Sequence, residues 1–113
     1  MSDCLFCKIV AGEIPADVVY RDENVVAFKD INPQAPVHLL VIPVKHIAKV
    51  TEPQAADGEM LSSIYKTIRL LAEKFQLDKG FRIVTNCGDE GGQTVYHLHF
   101  HLLGQRKLDW PPG

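Results

Sequence analysis

Near the C-terminus, His97-Leu98-His99-Phe100-His101-Leu102-Leu103 puts three of the chain's five histidines at alternate positions. In a β-strand, alternate side chains share a face and stand about 6.6 Å apart, so the three imidazoles would point one way and Leu98, Phe100 and Leu102 the other. The apolar face accounts for burial and leaves the histidines opposite it to be explained. Imidazole titrates near neutral pH and is a nucleophile as well as an acid or base. One ring of such a row can attack an electrophilic phosphorus while a neighbour donates a hydrogen bond to a phosphoryl oxygen. His-x-His can also supply two ligands to a metal. No further histidine or nearby carboxylate follows His101 to complete such a set.

Just upstream lies Gly88-Asp89-Glu90-Gly91-Gly92-Gln93-Thr94. Two adjacent glycines let a backbone approach a ligand closely and turn N–H groups toward an anion, and Gln93 and Thr94 add side-chain donors. A second feature is the pair Cys4-x-x-Cys7, to be weighed as a metal or redox element.

These residues need elements to hold them. Leu5 to Val10 reads as a short helix stopped by Gly12 and Pro15. Val18–Arg21 and Val25–Phe28 read as a hairpin about the turn Asp22-Glu23-Asn24. Asn32-Pro33-Gln34-Ala35-Pro36 is a stiff loop, because each proline fixes its own φ and restricts its predecessor. Leu39–Ile42 is continuously apolar, as in a central strand ended by Pro43. A long helix spans about residues 52 to 76, with Leu61, Ile64, Tyr65, Ile68, Leu71, Ala72 and Phe75 on one stripe. Thr51 and Gln54 resemble a capping box for it, Pro53 suits a first turn, and Gly58 marks a break near Ala56. Phe81–Thr85 and His97–Leu103 alternate with period two. The sum is an α+β domain: an antiparallel five-stranded sheet with one long helix on a face and a short N-terminal helix.

The chain has 113 residues, which suits one domain over 1–113. A net charge of −2 with no Lys/Arg run argues against nucleic acid as a partner. No stretch approaches the roughly 20 apolar residues that span a bilayer, so no membrane partner is expected. The first residues carry neither a basic nor a long apolar region, so no secretory signal is read, and three cysteines disfavour a disulfide framework. A cytoplasmic setting with reduced thiols is the expectation.

The run from Gly91 to Gly104 resembles the signature of the histidine-triad superfamily of nucleotide hydrolases and transferases. Phe28-Lys29-Asp30-Ile31-Asn32-Pro33, the His38–Pro43 strand and the ending Trp110-Pro111-Pro112-Gly113 are similar to its Hint branch, the purine nucleoside phosphoramidases. The resemblance runs from Cys4 to Gly113, and His101 separates the chain from the uridylyltransferase branch, which carries glutamine there.

The resemblance implies that His99 attacks the α-phosphorus of a nucleoside 5′-phosphoramidate, giving a nucleotidyl-histidine that water hydrolyses. It implies that His101 and His38 hydrogen-bond the phosphate and set the protonation of His99. Thr94, where better-known members carry serine, would assist the leaving amine. Gly92 and Gln93 would hold phosphate oxygens, with Asn86 on the phosphate or ribose side. Asp30 would accept the ribose hydroxyls. Phe6, Leu5, Ile9, Ile14, Phe28 and Ile31 match apolar positions that sandwich the purine; read alone, they are also core positions of a helix and a strand.

Cys4, Cys7, His46 and His97 resemble the zinc set of some bacterial members, a structural site not required for catalysis. The resemblance also implies a homodimer, each C-terminus near the partner's site, with a purine nucleotide or phosphoramidate as substrate. Two other activities stay open: diadenosine-polyphosphate hydrolysis, and nucleotide binding by a regulatory module with vestigial catalysis.

Overall fold

The computed structural model describes residues 3–113. Eight elements follow one another: α1 (Leu5–Val10), β1 (Val18–Arg21), β2 (Val25–Lys29), β3 (Val37–Pro43), a 3-10 turn (Pro53–Ala56), α2 (Gly58–Lys74), β4 (Phe81–Val84) and β5 (Phe100–Gly104). The strands form one five-stranded antiparallel sheet in the order β1-β2-β3-β5-β4. This is the α+β architecture expected from the sequence.

The run Val37–Pro43 is central because every one of its residues is buried, which only a strand covered on both faces allows. One face carries Val37, Leu39 and Val41 of β3 with Val25, Ala27, Leu98, Phe100 and Leu102, and α2 covers it through Ile64, Ile68 and Leu71. The other face carries Val26, Phe28, Leu40 and Ile42 and is covered by α1 through Phe6 and Ile9. Each such fully buried side chain contributes on the order of 1.5–3 kcal/mol.

Two boundaries differ from the sequence reading by three residues or more. The capping box Thr51/Gln54 does not form. The long helix starts six residues later, at Gly58, where the Asp57 carboxylate accepts the Glu59 N–H at 3.0 Å. Asp57 is a stronger cap than anything at Thr51, and the residues before it coil as the 3-10 turn. The last strand is also shorter than expected, beginning at Phe100 rather than His97. There the Leu98 N–H leaves the ladder for the Ile47 carbonyl at 2.6 Å.

Among the described residues no helix is long and apolar enough to cross a membrane. A cleft of about 800 Å³ is lined by residues 76–82 and 105–108 and contains none of the histidines. The chemistry is concentrated elsewhere, on the sheet face that α1 covers.

Candidate active site

His38 faces Leu103 across the β3–β5 ladder and His101 faces Leu40, so the two histidines are diagonal neighbours on one face. Their rings touch, with His38 Nε2 2.9 Å from His101 Nδ1. His99 adjoins them, its ring centroid 5.0 Å from that of His101. The expected row thus divides. His99 and His101 meet with His38, whereas the His97 ring turns to His46, centroid to centroid 5.1 Å, and to Cys4 and Cys7.

Partner chemistry fixes the tautomer of each ring, because a carbonyl only accepts and a backbone N–H only donates. The Gln34 N–H donates to His38 Nδ1 at 3.0 Å, so the His38 proton sits on Nε2. That Nε2–H donates to His101 Nδ1, which leaves His101 with a proton on Nε2. His99 Nδ1–H donates to the His97 carbonyl at 2.7 Å, which leaves a lone pair on His99 Nε2. The Thr85 hydroxyl donates to the His99 carbonyl at 2.9 Å and holds the main chain. The outcome is one nucleophilic nitrogen beside one N–H donor.

Burial keeps these rings neutral. Desolvation lowers the pKa of His38, His97, His99 and His101. For His101 it does so together with the neighbouring His99 and His38, down to about 4. Asp30 opposes the shift at His38, His99 and His101 without reversing it. The 3.4 Å approach of Asp30 to His38 Nε2 is therefore a contact with a neutral ring and not an ion pair. Asp30 spends its other oxygen on the Asn32 N–H at 2.8 Å and stands at the edge of the histidine cluster.

Several expected ligands have other work. The Gln93 side chain is buried; its amide donates to the Ala48 and Val95 carbonyls and its oxygen accepts the Gly88 N–H. It struts the loop and has nothing left for a phosphate. The Gly91, Gly92 and Gln93 N–H groups bond to the Gly88 and Asp89 carbonyls within the turn, so the expected open row of N–H donors at Gly92 is not there. Gly91 is needed for space, since a Cβ there would sit 2.5 Å from the Cys87 carbonyl oxygen. The Asn86 amide borders Gly92, with its Nδ2 3.8 Å from where a Gly92 Cβ would be. Thr94 is exposed beside them.

Phe6, Ile9 and Phe28 are core: Phe6 meets Phe28 edge to face at 5.4 Å and His99 at 5.1 Å. They support the histidines from below and have little surface left for a base. Ile31, at 99% exposure, is the apolar surface on offer, with half-buried Ile14 and exposed Leu5 elsewhere on this side. Thr85 and the Gln34 and Pro43 backbone groups were not legible as site residues, because nothing in their types announces a partner so far along the chain.

Among the described residues two groups could hold a metal, Cys4/Cys7/His46/His97 and Asp30/His38/His101. In the first, Cys4 Sγ and Cys7 Sγ lie 3.4 and 3.5 Å from His97 Nδ1, and Cys7 Sγ lies 3.3 Å from His46 Nδ1. Tetrahedral zinc with ordinary bond lengths separates sulfur from nitrogen by about 3.6 Å. The His97 Nε2–H donates to the Pro43 carbonyl at 2.9 Å, the outer contact that frees Nδ1 to ligate. These residues fit zinc. In the second group an N–H donor occupies His38 Nδ1 and Nε2 carries the proton, the opposite of what a metal ligand requires.

The HIT domain family matches residues 11–108 of this chain. A HIT-like protein of Synechococcus elongatus is 51% identical over 111 residues, covering 98% of this chain and 97% of that protein. A protein of Brassica juncea named 14 kDa zinc-binding protein is 45% identical over 113 residues, covering 98% of this chain and 100% of its own. Among solved structures, the HIT family hydrolase from Legionella pneumophila is similar with a TM-score of 0.95 at 53% identity, covering 98% of this chain and 100% of that one.

Proposed function

The chain belongs to the HIT domain family, and on that footing we propose that it is a Hint-type hydrolase that cleaves the P–N bond of purine nucleoside 5′-phosphoramidates. The observation that carries this reading is the tautomer pattern: a lone pair on His99 Nε2 beside a proton on His101 Nε2.

In the proposed reaction His99 Nε2 attacks the α-phosphorus. A bond forms between Nε2 and phosphorus as the P–N bond breaks. The departing nitrogen takes that electron pair and a proton from the Thr94 hydroxyl, which water restores. Water then attacks phosphorus and displaces Nε2, releasing the nucleoside monophosphate and returning the lone pair to His99. His101 Nε2–H donates to a phosphoryl oxygen throughout, and His38 holds His101 in the tautomer that can do so. The Asp30 oxygen not bonded to the Asn32 N–H receives a ribose hydroxyl, and the base lies over exposed Ile31. Asn86 borders the phosphate side.

Cys4, Cys7, His46 and His97 would hold zinc, which when bound supplies a tetrahedral cross-link and no reacting group. A cytoplasmic setting would keep those thiols available. A homodimer is supported by the edge strand β4 with exposed Phe81, and by Trp110, 80% exposed on a tail that Arg82 holds through the Asp109 carbonyl.

The test is a comparison of kcat/KM for adenosine 5′-phosphoramidate and for a diadenosine polyphosphate. The phosphoramidate is expected to be turned over far faster. The reverse order would make the protein a dinucleoside-polyphosphate hydrolase, and AMP binding without turnover of either would leave only a binding module.

A further inference from the structure

We propose, resting on the catalytic reading above, that the Cys4–Cys7–His46–His97 centre is a positioning device for the nucleophile, transmitting zinc occupancy to His99 through His97 and Phe6. His97 belongs to both sites. Its ring is fully buried, with Nδ1 toward the two sulfurs and Nε2–H on the Pro43 carbonyl. Its own carbonyl accepts the His99 Nδ1–H at 2.7 Å, the bond that leaves the Nε2 lone pair free. Moving the His97 ring therefore moves the acceptor that selects the tautomer of His99.

The main chain here has little else to hold it. β5 pairs with β3 only from Phe100 onward, so His97 and His99 lie outside the ladder. The Leu98 N–H bond to the Ile47 carbonyl and the Thr85 hydroxyl bond to the His99 carbonyl anchor the backbone at this point.

A second path runs through α1. Phe6 sits between the two cysteines, and its ring meets His97 at 6.0 Å and His99 at 5.1 Å. That helix has six residues, too few to be stable alone, and Cys4 is its N-cap, accepting the Cys7 N–H at 3.3 Å. A zinc ion joining both cysteines to His46 and His97 would lock the helix, and so the Phe6 ring, against the nucleophile. Outer contacts of this kind commonly change activity by about 10–100-fold when lost.

The experiment compares zinc-loaded protein with protein stripped by a chelator under reducing conditions, both folded by circular dichroism. Imidazole nitrogen-15 NMR reads the His99 tautomer, and kinetics with adenosine 5′-phosphoramidate reads kcat and KM. Stripping is expected to convert a single Nδ1–H form of His99 into a mixture and to lower kcat about 10–100-fold with KM little changed. An unchanged His99 spectrum after zinc loss overturns the proposal, as does failure of the protein to take up zinc. Should the stripped form unfold, Phe6→Leu in zinc-loaded protein carries the same test, with metal content retained and the His99 spectrum expected to shift; an unshifted spectrum overturns it. The spectrum is independent of turnover: an inert wild type would sink the catalytic reading, and the tautomer would still decide this one.

Discussion

Replacing His99 by alanine is expected to lower kcat for phosphoramidate hydrolysis by roughly four to six orders of magnitude, with nucleotide affinity changed by less than about tenfold. The asymmetry follows from the geometry. In the proposed reaction His99 would present one lone pair, on Nε2, whose contribution would arise only as the bond to phosphorus forms. Asp30, Ile31 and the His101 N–H, which would bind the ribose, base and phosphate, do not depend on it. Loss of binding in step with loss of turnover would instead make His99 a ligand-holding residue. The measurement is single-turnover hydrolysis alongside AMP titration, at a temperature where the variant is folded.

His101→Leu is expected to lower kcat by about 10²–10³, the usual cost of removing one donor from a developing oxyanion. The substitution keeps the bulk and deletes the relay His38 Nε2–H to His101 Nδ1. It also removes a titrating group with a distinct stability signature. The folded-state pKa of His101 is lowered to about 4, so the unfolded chain binds the proton more readily. Stability from this group is complete above its unfolded pKa of about 6.5 and is lost as pH falls toward 4, amounting to about 2–3 kcal/mol. The wild type should therefore lose more stability than His101→Leu between pH 7 and pH 4 in urea titrations. Equal losses would show that His101 titrates as it does in water.

Much of the fold was legible because its signals are local. The stripe Ile64, Ile68, Leu71 and the apolar run Leu39–Ile42 each encode their own burial. The long helix starts later than the sequence suggests because Asp57 caps it in place of the Thr51/Gln54 pair, and the residues before Asp57 coil as a 3-10 turn.

The site was legible in its residue types more than in its bonds. Alternation placed His99 and His101 together, but it also placed His97 with them. Two cysteines some ninety positions away draw the His97 ring aside. Gln93 and the Gly91-Gly92 pair looked like phosphate ligands because donors of that kind often are. Whether a donor is already spent on Ala48, Val95 or Gly88 is a long-range fact. The apolar positions expected around the base divide for the same reason: Phe6, Ile9 and Phe28 are committed to the core, whereas Ile31 and Leu5 are exposed.

The central claim is that the His99 ring becomes covalently bonded to phosphorus, and intact-mass analysis tests it most directly. Protein mixed with adenosine 5′-phosphoramidate and quenched in alkali, where phosphorus–histidine bonds survive, is predicted to carry one adenylyl group, mapped by peptide fragmentation to His99. Turnover with no adduct at any quench time, or an adduct mapped to another residue, would contradict the account.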